Sequence, residues 1–284
     1  MPDHQFFRSV TRLTRLVSFA LLLALSGCIQ MHTTVHVGKD GRGTIEQKML
    51  FAGMLSGMMN NNEKSDPSGK EEMQPKDEQL RKQAAEFGDE VRFKDIRMVE
   101  NREGRGYVAT FAFDDIEKVR IGSAQKMSTN LSADSTSVKV DSTKTEKPET
   151  WFTFTMKRGV HPELVISKHS ELHTASSTQS VQNSPVKGGE KEQKEMLDMM
   201  TPFLKGMKMV IDVVVDGRIV RSDASFRTGN RIVLYAMDFD RLLARRDILT
   251  GKYNGLSDRE FVRRSGKNSG LQFEFRDQVH VLFN

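Results

Sequence analysis

Cys28 is the only cysteine in the 284 residues, and it closes a short apolar run, Leu16-Val17-Ser18-Phe19-Ala20-Leu21-Leu22-Leu23-Ala24-Leu25. Two constraints follow. No disulfide can staple the fold, so the core must come from apolar burial and backbone pairing. The first 27 residues are also set apart from the rest. Arg8, Arg12 and Arg15 precede the run, and the small residues Ser26 and Gly27 follow it. A membrane-spanning helix needs about 20 apolar residues. The run is roughly half that, so the layout predicts a cleaved export signal rather than a span.

Leu25-Ser26-Gly27-Cys28 resembles the lipobox of bacterial lipoproteins. The resemblance implies cleavage just before Cys28, a diacylglycerol on its sulfur, and acylation (palmitate-class chains) of the new N-terminus. Each buried methylene contributes about 0.8 kcal/mol, and two or more chains hold a protein firmly at a membrane. Ile29 and Gln30 follow, so no acidic residue stands directly after the cysteine. By the same resemblance this favours the outer membrane over the inner one. The expected location is the cell envelope, lipid-anchored at Cys28 and facing the periplasm.

Beyond Cys28, alternation of period two dominates, the mark of half-buried strands. Met31, Thr33, Val35 and Val37 fall on one side, and Gln30, His32, Thr34 and His36 on the other. Gly38 to Gly43 turns and Thr44 to Phe51 returns, a hairpin that begins a few residues from the lipid. Ala52 to Met59 reads as a short helix, followed by a loop to Met73. Pro75, Asp77 and Glu78 open a helix that places Leu80, Ala84 and Phe87 on one face and ends at Gly88. A second hairpin joins Val91–Met98, its period slipping near Asp95, to Tyr107–Phe113, and a helical turn follows before Ile121. Trp151–Met156 pairs with Leu164–Ile166. Met209–Val215, the Asp216-Gly217 turn and Arg218–Val220 read as a further hairpin. Arg231–Met237 is another strand, with a short helix from Phe239 through Leu242 and Leu243. Ser257 and Glu260 have capping-box spacing for a helix through Arg264. Leu271–Phe275 and Val279–Phe283 read as a final hairpin.

The expected fold class is α+β: antiparallel hairpins with two or three helices packed on one face, and long polar insertions. Residues 1–27 form the signal. Residues 28–121 form an N-terminal α+β part, 122–150 a Ser/Thr/Lys-rich linker and 151–284 a C-terminal α+β part. Whether the two parts share one domain is left open. His169 to Gly189 is a second polar stretch. Residues 205–243 run helix, strand, glycine turn, strand, strand and acidic turn. This order resembles the C-terminal part of uncharacterised bacterial lipoproteins of the LppM-like group. Lipid or glycolipid binding has been suggested for that group, and the resemblance carries over no functional residue.

Composition removes some classes of function. Without residues 1–27 the chain keeps 40 basic and 37 acidic side chains, a net charge of +3. That is too mild to imply nucleic acid, and no basic stripe interleaves with aromatics. Gly38, Gly41 and Gly43 lack the helix of a phosphate loop, and Ser265-Gly266-Lys267 lacks the rest of one. No Gly-x-Ser-x-Gly elbow occurs, and the one thiol is committed to lipid, so no enzyme and no cofactor are expected.

The 16 methionines stand out. Met54, Met58 and Met59 form one cluster, and Met196, Met199, Met200, Met207 and Met209 a second. Thioethers are soft ligands for Cu(I), but methionine also fills irregular cores and soft grooves. Phe203 and Leu204 beside the second cluster favour burial. His169 and His173 would share a helical face, yet the spacing is not His-Glu-x-x-His and the surrounding Ser and Thr suit a loop. His32 and His36 read as solvated. Arg241, Arg245, Arg246, Arg259, Arg263 and Arg264 can meet anionic head groups or form a plain solvated face. The expected function is a tethered, non-enzymatic binding or assembly component, with a hydrophobic groove for lipid or an envelope protein partner. Copper handling by the methionine clusters is the alternative.

Overall fold

The structure is a computed structural model that describes residues 28–52, 75–122, 150–170, 197–199, 201, 204–249, 256–266 and 269–284. In chain order the strands are β1 (Cys28–Val37), β2 (Gly43–Ala52), β3 (Arg92–Asn101), β4 (Gly104–Phe113), β5 (Arg120–Gly122), β6 (Thr150–Lys157) and β7 (Glu163–Ser170). They continue with β8 (Lys208–Val215), β9 (Ile219–Ser222), β10 (Arg227–Thr228), β11 (Arg231–Asp238), β12 (Leu271–Phe273) and β13 (Gln278–Phe283). The bounded helices are α1 (Asp77–Phe87), α2 (Phe239–Ala244), α3 (Arg246–Leu249) and α4 (Asp258–Ser265), with a 3-10 turn at Ile116–Lys118.

This corrects the α+β expectation. The described fold is mainly β and consists of two sheets. The larger has eight strands in the order β10-β11-β8-β1-β2-β4-β3, with β12 added on β11. The smaller has five, ordered β5-β6-β7-β13-β9. No layer of two or three helices covers a face of either sheet among the described residues. The alternating segments are long enough to cover one another, so sheet packs on sheet. Only α1 has the length to bury a full stripe, inserting Leu80, Ala84 and Phe87. Its Phe87 ring lies 5.0 Å from that of Phe111.

Local pairing follows the sequence pattern where the turn is tight. β1/β2, β3/β4 and β6/β7 are antiparallel neighbours. The β3/β4 register shifts between Phe93 and Asp95, where the alternation slips. Two expected hairpins do not form. β8 does not fold back on β9. It pairs in parallel with β1 and antiparallel with β11, while β9 joins the smaller sheet beside β13. Gly217, at φ 112°, allows the crossing, because a Cβ there would lie 1.8 Å from the Asn284 carbonyl oxygen. Likewise β12 pairs with β11 and β13 with β7 and β9, so the last two strands separate into different sheets. Glu274 lies between them and is buried. Its carboxylate accepts from the Ser225 amide at 2.8 Å, from the Ser225 hydroxyl, and from the Arg276 amide at 3.0 Å.

The core draws on both sheets. Val35, Ile45, Phe111, Val213 and Ile232 from the larger sheet join Phe154, Leu164, Ile166, Val279, Val281 and Phe283 from the smaller in one continuous cluster. Strands of residues 28–121 and of 151–284 are therefore neighbours, with β1 between β2 and β8. No described helix is long and apolar enough to cross a membrane.

Candidate functional site

The inner face of the larger sheet changes character along its strands. Farthest from Cys28, Val37 and Val215 stand opposite each other, with Phe113 across from Gly43. The next row runs Ile232, Val213, Val35, Ile45, Phe111, Phe93, all apolar. Then comes Tyr235, Ile211, Thr33, Gln47, Ala109, Ile96, with two buried polar side chains at its centre. Toward Cys28, six adjacent strands contribute Met237, Met209, Met31, Met49, Tyr107 and Met98, with Ile29 and Phe51 one row beyond. Strands lie about 4.8 Å apart, so this row is about 24 Å long. It begins only three residues along β1 from Cys28, or about 10 Å.

Polar groups hold the row in place. The Tyr107 hydroxyl donates to Met49 Sδ at 3.4 Å, and the Tyr235 hydroxyl reaches Met237 Sδ at 3.9 Å. Gln47 Nε2 reaches Met31 Sδ at 3.9 Å, while Gln83 on α1 donates to Gln47 Oε1. Burial pushes the Tyr107 pKa up and that of Tyr235 up to about 12, so both hydroxyls remain donors. Thr33 Oγ1, one row deeper, is buried without a hydrogen-bond partner. Met31 and Tyr107 are buried, Met49, Met209 and Met237 are partly exposed, and Met98 is 40% exposed. The row is thus an apolar, polarisable stripe at the margin of the core.

The opposite face carries a charged cluster. Asp212 on β8 is buried, and its Oδ2 accepts from Arg231 on β11 and lies 2.8 Å from His32 Nε2. Burial alone would raise the Asp212 pKa, but the His32 hydrogen bond and the His32 and Arg231 charges outweigh it and hold the carboxyl below its ordinary value. Thr34 Oγ1 also meets His32 Nε2, at 3.3 Å. A nucleophile relay needs the carboxylate on one ring nitrogen and the hydroxyl on the other. Here both contact Nε2, so the geometry is that of an ion-pair network.

The structure redistributes the residues singled out in the sequence. Cys28 opens β1, at the same end of the sheet as the methionine row. Met54, Met58, Met59, Met196, Met200, Phe203 and His173 lie outside the described residues, as do the signal and residues 123–149. Of the second methionine cluster, Met199 is exposed, Met207 precedes β8, and Met209 enters the row. His169 is in β7 rather than a loop, stacked on Trp151 at 5.8 Å with Thr153 Oγ1 2.7 Å from its Nε2. Arg245 pairs with Asp247 and donates to the Ser265 carbonyl, a role inside the fold. Arg259, Arg263 and Arg264 are exposed on or beside α4. His32 is paired rather than simply solvated. The methionine row was missed because its members lie on six strands, and only the pairing register lines them up.

No family model and no curated protein matches the chain. Among solved structures it is similar to the NMR structure of the folded domain of LppM from Mycobacterium tuberculosis. The identity is 6%, 91% of this chain and 92% of that chain are covered, and the TM-score is 0.32.

Proposed function

We propose that the chain is an envelope lipoprotein, tethered through Cys28, that binds the acyl chains of an envelope lipid along the methionine row at the margin of its larger sheet and catalyses no reaction. The observation that carries this reading is the position of the methionine row on the strand that starts at Cys28. An anchored Cys28 would hold Met31, the member of the row on β1, within about 10 Å of the lipidated residue. The row is about 24 Å long, against about 15 Å for the hydrocarbon half of one leaflet. Methionine suits a surface that must fit flexible chains, because its side chain is unbranched and repacks easily. The absence of an acidic residue after Cys28 favours the outer membrane.

The test is the mass of the protein purified from membranes beside a Cys28→Ala variant, with extraction of any lipid that accompanies each. The reading expects a mature N-terminus at residue 28 carrying acyl mass, lipid that accompanies the purified chain, and loss of membrane retention in the variant. An unprocessed N-terminus without acyl mass would remove the tether. Purification free of lipid would remove the binding role.

A further inference from the structure

The row that lines up across the sheet also has the chemistry of a soft-metal site. Met237, Met209, Met31 and Met49 stand on four consecutive strands, each directly opposite the next. Side chains paired in this way project from the same face of the sheet. Neighbouring strands lie about 4.8 Å apart. A soft sulfur donor sits roughly 2.3 Å from its metal, so two sulfurs on one ion are separated by up to about 4.6 Å. Strand spacing and ligand spacing therefore agree for directly opposite neighbours, and Met209 and Met49, on either side of Met31 at about 9.6 Å, meet on one ion by leaning their flexible side chains toward it. Thioethers select Cu(I) over harder ions, because the donor is neutral and polarisable.

The surroundings favour this use of the sulfurs. Each thioether has two lone pairs. Gln47 directs a donor at Met31, Tyr107 at Met49 and Tyr235 at Met237. On Met31, Met49 and Met237 one lone pair is engaged and the other remains for an ion. Such outer partners position ligands at metal sites. Met49, Met209 and Met237 are partly exposed, so an ion has a way in. No group of three His, Cys, Asp or Glu among the described residues competes as a harder site.

We infer that Met31, Met49 and Met209, with Met237 beside them, bind a soft monovalent cation, Cu(I) or Ag(I), between the strands. This role is independent of the tether but uses side chains of the proposed lipid surface, and the substitution Met→Leu tests the sulfur donor alone. Leucine keeps the apolar volume and removes the donor.

The experiment offers Cu(I), held by excess bicinchoninate under reductant, to the full mature chain. The wild type is expected to withdraw one equivalent. Met49→Leu, at a partly exposed position, weakens the withdrawal. Met31→Leu/Met49→Leu/Met209→Leu abolishes it, while circular dichroism stays as in the wild type. If the wild type leaves all copper with the competitor, the inference fails. It also fails if the triple variant withdraws copper equally, because the ligands then lie elsewhere in the chain. Should the triple variant misfold, Met49→Leu decides alone: unchanged withdrawal overturns the site.

Discussion

His32 Nε2 stands 2.8 Å from Asp212 Oδ2, a contact between residues 180 apart in sequence that spans the parallel pair of β1 and β8. Arg231 reaches the same oxygen from β11. Three strands of the larger sheet are thus joined on its outer face by one carboxylate that is only 2% exposed. Removing one partner of a buried pair leaves a charge without compensation, whereas removing both is often close to neutral. Arg231→Met, which leaves His32 beside the same oxygen, is therefore expected to cost about 2 kcal/mol. Arg231→Met with Asp212→Val is expected to cost less than the sum of the single changes. Urea unfolding of the four proteins in the cycle measures this, and strict additivity would show that Arg231 and Asp212 do not act together.

The same network sets a pH dependence. The Asp212 pKa is lowered from 3.8 in the folded state. A carboxyl lowered on folding binds fewer protons in the native chain than in the unfolded one. Its stabilisation is complete above the unfolded value and is lost as pH falls through the folded value. Stability should thus decline below about pH 5, and Asp212→Asn should flatten that decline while lowering stability at neutral pH. Urea midpoints collected from pH 3 to 7 test it, and an unchanged slope in Asp212→Asn would assign the acid sensitivity to other carboxylates.

The strands themselves were legible because alternation is a local property. Residues Met31 to Val37 and Tyr107 to Phe113 declare their faces by period alone, and α1 announces itself by Leu80, Ala84, Phe87 and the terminal Gly88. Partners were legible only where a short turn forces them. Val210 to Val215 carries nothing that names β1 as its neighbour, because a parallel partner 180 positions away is chosen by the fit of two apolar faces. The α+β expectation failed for the same reason, since it needed helices to cover faces that a second sheet covers. The methionine row has no local signal at all. Of the contiguous clusters only Met209 joins the row, whose other methionines stand singly on four further strands.

Crossing between sheets depends on Gly217. Its φ of 112° is unfavourable for any residue with a Cβ, and that atom would meet the Asn284 carbonyl oxygen at 1.8 Å. Arg218 and Asn284 exchange both backbone hydrogen bonds at 3.1 Å, so the contact cannot simply open. Gly217→Ala is expected to destabilise by about 3 kcal/mol, combining backbone strain with overpacking. Gly229→Ala is the control: it also has positive φ, at 61°, but open space around the added atom. Thermal unfolding should separate the two, and equal losses would mean that strain rather than the close approach governs the crossing.

The second crossing rests on Glu274, whose backbone also takes part. Its amide donates to the Leu234 carbonyl at 2.8 Å and its carbonyl accepts from Lys168 Nζ at 3.1 Å, tying β11 of one sheet to β7 of the other. The side chain meanwhile serves the amides of Ser225 and Arg276. An alanine would keep the backbone contacts and take the carboxylate from those two part-exposed donors, hydrogen bonds to a charged acceptor being worth about 1.5 kcal/mol or more each. Glu274→Ala should therefore lower stability by about 2–4 kcal/mol. It should also speed hydrogen exchange at the Ser225 and Arg276 amides before β7 or β11 loses protection. If exchange rises uniformly across both sheets instead, Glu274 supports the whole core, and the bend between β12 and β13 is set by backbone contacts alone.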